Sequence, residues 1–233
     1  MERILTAELL DDDRGTREEI EQSLDDLWRI NRWLGGVRSN LHLLNRVFER
    51  TGQDRLRILD VGAGDARLAT RLEKELRDRG LGVEFTVLDR RLSHLRNGHR
   101  NGWGLPAAVA DVLHLPFREN SFDVVLCNLL FHHFSGERAQ VLLQRLASVA
   151  RRAVIINDLE RNLLPYLFIR VAYPFARSRV TRYDGPASVR QAYTPDELRE
   201  LATHAGFQDF DVVRLVPFRL GLTLWNSSSG ARP

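Results

Sequence analysis

Cysteine is almost missing from this chain: Cys127 is the only one in 233 residues. No disulfide can therefore close within it, and a reducing cytoplasm is the expected location. Long apolar runs are missing too, none approaching the roughly 20 residues that cross a bilayer. The opening MERILTAELL lacks both the basic start and the sustained apolar segment of a signal peptide. There is no internal repeat, and low complexity is confined to the terminal NSSSGARP, read as a flexible tail over residues 227–233. Excess charge is small: 34 basic residues face 31 acidic ones, for a formal charge of +3. Without a basic stripe interleaved with aromatics, nucleic acid is not an expected partner.

What is present describes a globular protein, 43% hydrophobic and 28% charged, long enough for one α/β domain with a full core and little more. An acidic start, Asp11 to Asp13, precedes apolar residues at helical spacing (Ile20, Leu24, Leu27, Ile30), and a second helical pattern runs from Leu41 to Arg50. Together they read as a helical N-terminal cap over residues 1–50. From Arg57 the pattern alternates. Strands are expected at Arg57–Val61, Val83–Leu88, Ala107–Ala110, Phe122–Cys127 and Ala153–Asn157, with helices at Ala66 to about Arg79, near Leu92, and at Gly136–Ala150. Such alternation predicts right-handed βαβ units and a parallel doubly wound sheet, which binds ligands at the carboxyl ends of its strands.

Three of those ends carry acids. In RILDVGAGDARLAT, Asp60 closes a strand and Gly62 and Gly64 follow, where a backbone without Cβ atoms lets a ligand approach. Asp60 is expected to orient the loop by accepting its N–H groups. A dinucleotide site also wants a third glycine at position 67, which is Arg67 here, and this counts against NAD or FAD. In VLDRR, Asp89 is placed to accept from both ribose hydroxyls of a nucleoside, or else to cap the next helix, with Arg90 beside it. In AVADVLHLPF, Asp111 is placed to accept from an adenine amino group, with Val112 and Leu113 flanking the ring.

Taken in order and at these separations, ILDVGAGDA, VLD, ADVLHLPF and SFDVVLCNLLFHH resemble the sequential motifs of the class I S-adenosylmethionine-dependent methyltransferases, in particular the branch acting on small molecules and quinones. The resemblance covers Arg57 to Leu159, and AYTPDELRELATHAGF matches the late helix and turn before the final hairpin. It implies a Rossmann-like, doubly wound seven-stranded sheet with an antiparallel last strand, the closing pair being Asp209–Val216 and Arg219–Trp225 around Pro217. The catalytic domain would span residues 51–226, with a lid insert after the fifth strand at about 159–192. It implies S-adenosylmethionine as cofactor, with Gly62, Ala63 and Gly64 against its methionine part and Asp89 on the ribose. Asp111 and Val112 would meet the adenine, and Asn128 and Leu129 would line the methyl-transfer chamber. Ala66 stands where many relatives carry another glycine.

The acceptor is open. His132 and His133 follow the fourth strand and are candidates for the base that a hydroxyl acceptor requires, or are structural donors to the backbone. Asp158 is a candidate acceptor ligand or helix cap, and Arg161 a candidate ligand or one half of a solvated pair with Glu160. No metal is expected, and His42, His94, His99, His114 and His204 have no evident partners. The insert LLPYLFIRVAYPFARSRVTRYDGPASVRQ is apolar, then arginine-rich. It packs as a lid helix, walls a pocket for a lipophilic acceptor, or touches an anionic membrane through Arg170, Arg177, Arg179 and Arg182. At about thirteen residues, Leu163–Phe175 is too short to span a bilayer. Trp28 and Trp33, beside Gly35–Gly36, are expected to close the other side. The leading reading is methyl transfer to a small apolar or aromatic acceptor, at oxygen before carbon. Carbon methylation of the quinone-biosynthesis kind is the runner-up, and a non-catalytic cofactor-binding partner protein is the alternative from another class.

Overall fold

Seven strands form one sheet in a computed structural model that describes residues 1–172 and 176–226. They are β1 (Arg55–Val61), β2 (Gly82–Asp89), β3 (Ala107–Val109), β4 (Phe122–Asn128), β5 (Ala150–Leu159), β6 (Phe210–Leu215) and β7 (Arg219–Trp225), lying side by side as β3-β2-β1-β4-β5-β7-β6. The first five are parallel, and β7 runs antiparallel between β5 and β6. This is the sheet the sequence implied. Its order reverses between β1 and β4, so a crevice opens there at the carboxyl ends.

Central strands buried on both faces need continuous apolar runs, and the chain supplies them: Ile58, Leu59, Val124, Val125 and Leu126 are fully buried. One face is covered by α2 (Gly36–Thr51) and α3 (Arg67–Arg77) through Leu43, Leu44 and Leu72, the other by α5 (Gly136–Val149) and α8 (Pro195–His204) through Leu142, Leu146 and Leu198. Each such side chain contributes about 1.5–3 kcal/mol on burial. α1 (Arg17–Trp33) and α8 both begin with reciprocal capping boxes, Thr16 with Glu19 and Thr194 with Glu197, which satisfy two otherwise unpaired N–H groups at each start. The remaining helices are α4 (Leu92–Arg100), α6 (Leu163–Ala172) and α7 (Arg179–Gln191).

Several boundaries differ from the sequence reading for local reasons. α3 starts at Arg67 because Ala66 adopts a left-handed φ of 58°, a conformation that L-residues other than glycine pay for. β5 continues past Asn157 because Asp158 and Leu159 pair with Leu220 and Arg219 of β7. The cap is helical only from Arg17. Before it, the chain runs as an irregular segment with a short 3-10 turn at Leu10–Asp12. The apolar half of the insert is not core: Leu163, Leu164, Leu167, Phe168 and Val171 of α6 are all exposed. Trp28 packs against the core, whereas Trp33 is 82% exposed and closes nothing. Residues 173–175 of the insert and the tail at 227–233 lie outside the described residues.

The glycine loop is braced from behind. A methyl group on Gly98 would lie 1.7 Å from Trp103 Nε1 and 2.2 Å from the Asp65 carbonyl oxygen. Gly98→Ala should therefore lower the unfolding free energy by about 1–3 kcal/mol, read by urea denaturation. Gly104→Ala, with nothing within 4 Å of the added methyl, should stay within about 0.5 kcal/mol of wild type.

Candidate active site

The carboxyl ends of β1 to β4 converge on one cavity of about 480 Å³. Asp60, Gly62, Ala63, Gly64, Asp89, Arg90, Asp111, Val112, Asn128, Leu129, His132 and His133 all line it. Asp158 and Arg161 do not. Asp158 lies behind His132, and Arg161 is buried, donating to the carbonyls of Met1 and Ala192 and to Glu197. Glu160 pairs with Arg214 instead of Arg161. Neither Asp158 nor Arg161 is thus placed to touch an acceptor.

Gly62 and Gly64 have φ of +67° and +58°, and a Cβ on Gly62 would strike Leu130 Cδ2 at 2.7 Å. The loop's N–H groups do not go to Asp60 as expected. The Gly64 N–H donates to Asp89 Oδ2 and the Arg91 N–H to Asp89 Oδ1, both at 2.8 Å. Asp89 therefore ties the two strand-tip loops together. Asp60 has no hydrogen-bond donor among the described residues, and burial, then the charge of Asp89, pushes its pKa up to about 8. Asp111 accepts from the Leu113 N–H at 2.8 Å, a turn that holds Val112 against the cavity. Asn128 Oδ1 accepts from Asn40 Nδ2 of α2 at 2.9 Å. Leu129, at φ +54°, is a strained backbone position at the cavity wall.

His132 is buried at the foot of the cavity. Its backbone N–H donates to Asp158 Oδ2 at 2.9 Å, its Nδ1 lies 2.7 Å from Asp158 Oδ1, and its Nε2 faces Glu8 Oε1 at 3.5 Å. Burial pulls its pKa down, but Asp158 and then Glu8 outweigh this and carry it up to about 10. His132 is thus an imidazolium at neutral pH. His133, whose ring centroid is 4.2 Å from that of His132, moves the other way: burial, then the charge of His132, lowers its pKa. Its Nδ1 lies 3.1 Å from Asp11 Oδ2. Glu8, His132 and His133 present ligand atoms within 4.8 Å of one another, a set able to receive a metal ion, although the proton on His132 already supplies positive charge there.

Sequence reasoning missed the N-terminal segment and its partners. Asp11 O accepts from Arg90 and Arg91 at 2.7 Å, Asp13 accepts from Ser93 Oγ at 2.8 Å, and the N–H groups of Leu9 and Leu10 donate to Asp184 of α7. His94, read as partnerless, lies 3.1 Å from Asp13 and 3.5 Å from Asp89. Burial lowers its pKa, but Asp89 and Asp13 outweigh it and leave the value raised. Arg219, 1% exposed, donates to Asn31 Oδ1 at 2.8 Å from the opposite wall. The triplet Asp11–Asp13 was the available signal, but acidic runs before a helix are common caps.

Comparison with known proteins gives a concordant picture. A family model described as a methyltransferase domain matches residues 58–153. A malonyl-[acyl-carrier protein] O-methyltransferase of Geobacter sulfurreducens is 31% identical over 183 residues, covering 72% of this chain and 64% of its own length. A ubiquinone/menaquinone biosynthesis C-methyltransferase, UbiE of Rickettsia felis, is 36% identical over 72 residues, 28% of this chain and 29% of its own. The chain thus spans less than two thirds of the length of either relative. Among solved structures, the plantazolicin methyltransferase BpumL, in complex with a pentazolic desmethylPZN analog and SAH, superposes with a TM-score of 0.64 at 14% identity, over 89% of this chain and 96% of that one. Residues 58–153 thus match a methyltransferase domain, on a fold shared with that solved S-adenosylhomocysteine complex of a methyltransferase.

Two outcomes follow from the geometry. Asp89→Ala removes the acceptor of two loop N–H groups, where hydrogen bonds to a charged group contribute about 1.5–3 kcal/mol each. Affinity for S-adenosylhomocysteine, measured by calorimetry, should fall at least about tenfold while the circular dichroism spectrum is retained; an unchanged affinity would mean that this carboxylate only caps a turn. The second concerns His132, whose pKa rises from 6.5 to about 10 on folding. Its contribution to stability is complete below 6.5 and lost as pH climbs through 10. Wild type should lose its advantage over His132→Gln across that window, by up to about 1.4 kcal/mol per pH unit, read from denaturation curves at successive pH values.

Proposed function

We propose that this protein transfers the methyl group of S-adenosylmethionine to an oxygen of a small apolar or aromatic acceptor, with His133 as general base. The carrying observation is the arrangement of this cavity. It is lined by the glycine loop and strand-tip carboxylates, by a histidine whose pKa is lowered, and by apolar side chains from α1, α6 and the β6–β7 turn, including Leu27, Ile30, Ile169 and Phe218.

The cofactor end fits the ligand class. The carboxylate of Asp60 faces the cavity without a donor and is held at a raised pKa by burial, so a ligand bringing an ammonium group would restore its charge balance. Gly62, Ala63 and Gly64 would take the amino-acid part, Asp89 the ribose, and Asp111 with Val112 the base. S-adenosylmethionine supplies an electrophilic methyl group on a sulfonium.

The chain's own contribution is positioning and proton handling. Alignment of reacting groups about 3–3.5 Å apart is worth roughly 7–11 kcal/mol, and Asn128 and Leu129, fixed by Asn40 and by the Asn157 carbonyl, form the wall against which an acceptor is held. His132, charged, keeps its proton and serves as a positioning residue: it lowers the pKa of its neighbour and anchors Glu8. His133, with its proton on the Nδ1 that faces Asp11, would offer Nε2, which lies 3.9 Å from Glu8 Oε2, as the acceptor for a hydroxyl proton. The likeness to UbiE keeps carbon methylation as a second reading, in which an ionised ring supplies the nucleophile and no base is needed.

The test is the pH dependence of methyl transfer. Because the pKa of His133 lies below 6.5, the wild-type rate should rise with pH through that lower value and then level off. His133→Gln should remove the limb and slow kcat by about 10²-fold or more while leaving cofactor affinity unchanged. Retention of the wild-type rate and profile would assign transfer to proximity alone or to a carbon nucleophile.

A further inference from the structure

The mouth of the cavity opens beside an apolar surface that nothing among the described residues covers. α6 presents Leu163, Leu164, Leu167, Phe168 and Val171 at helical spacing, each between 45% and 74% exposed. The Phe168 ring lies 5.7 Å from that of Phe218 in the β6–β7 turn. That turn in turn abuts the α1–α2 junction, where a Cβ on Gly35 would lie 2.9 Å from the Val216 carbonyl oxygen. Val216 and Trp33, at 83% and 82% exposure, extend the patch across the junction. Ile169, Pro217, Phe218 and Leu34, from the same three elements, line the cavity itself. Surface and cavity are continuous.

Charge selects the occupant. The described stretches that build this face, residues 31–40, 161–172, 176–183 and 212–222, contain no Asp or Glu. They carry Arg32, Arg38 and Arg170, which make no ion pair or side-chain hydrogen bond among the described residues, and Arg177 and Arg182, whose guanidinium groups pair with no carboxylate there. An amphipathic helix with a basic surround is the composition that lies in the headgroup region of an anionic membrane, whereas a protein partner of the usual kind is met by mixed charges at the rim. α6 is ten residues long, and no helix among the described residues is long and apolar enough to cross a membrane, so contact is at the surface.

We propose that α6, the β6–β7 turn and the α1–α2 junction form a docking face for an anionic lipid bilayer, with the cavity mouth turned toward it. The docking stands on this surface alone. Only the corollary, that an apolar acceptor enters from the lipid phase, rests on the methyl-transfer reading.

The experiment is co-sedimentation of the whole protein with phosphatidylcholine vesicles with and without phosphatidylglycerol, beside calorimetric binding of S-adenosylhomocysteine. Wild type should bind the anionic vesicles at least about tenfold more tightly than neutral ones, with affinity falling as salt rises. Leu164→Glu combined with Val171→Glu should abolish vesicle binding, and Arg170→Glu should weaken it several-fold, while nucleoside binding, which reports an intact fold, stays unchanged. Binding unaffected by the double variant overturns the proposal, as does failure of wild type to bind anionic vesicles. A dimer in light scattering that the double variant dissociates, without vesicle binding, would assign the face to a second copy of the chain and overturn it too. None of these outcomes bears on cofactor binding, so the methyl-transfer reading fails or stands separately.

Discussion

Parallel strands deliver all their carboxyl ends to one edge of a sheet, and this chain ends three of its five parallel strands there at or near a buried aspartate. Asp60, Asp89 and Asp158 would repel one another if each kept its charge without compensation. The structure resolves this differently at each tip. Asp89 is satisfied by two backbone N–H groups, Asp158 by the imidazolium of His132, and Asp60 by nothing, so its acidity is suppressed. The cavity, the loops around it and the segment that crosses it follow from these three solutions.

The N-terminal segment is held by the same edge. Its Glu8 faces His132, its Asp13 faces His94, and its backbone is gripped on one side by Arg90 and Arg91 and on the other by Asp184 of the insert. Cap, insert and cofactor loops are thus joined by polar bonds around a cavity whose far wall is apolar. Polar groups buried in this way are costly unless paired, and the pairing fixes one arrangement of the three segments.

Two adjacent histidines illustrate how position outweighs residue type. His132 and His133 share a short 3-10 turn and an ordinary pKa of 6.5, yet one is driven upward by two carboxylates and the other downward by burial and by its charged neighbour. Opposed shifts in neighbouring groups separate a holder of charge from an acceptor of protons. The exposed face on α6 reflects a comparable division within the insert: α7 packs against α1, leaving α6 with an apolar side that the fold does not bury.

Most of the sheet was legible in the sequence, as were the strand-tip residues that come to line the cavity, because both rest on local patterns: apolar runs of strand length, a turn of Gly62 and Gly64, and acids at successive strand tips. Even Ala66 was read at its place, although its left-handed backbone was not visible. The partners of those residues were not legible. Asp89 as the tie to the glycine loop, Glu8 and Asp11 against the two histidines, and Arg161 spent on a buried structural role depend on contacts between residues 25 to 160 positions apart. The alternation of strand and helix patterns determined that this chain folds as an α/β domain, and the spacing of glycines and aspartates determined which strand-tip residues line its cavity. Which carboxylate meets which cation was decided only when the chain closed on itself, because ionic and hydrogen-bonding strength depends on distance and burial, and neither is a property of position along the chain.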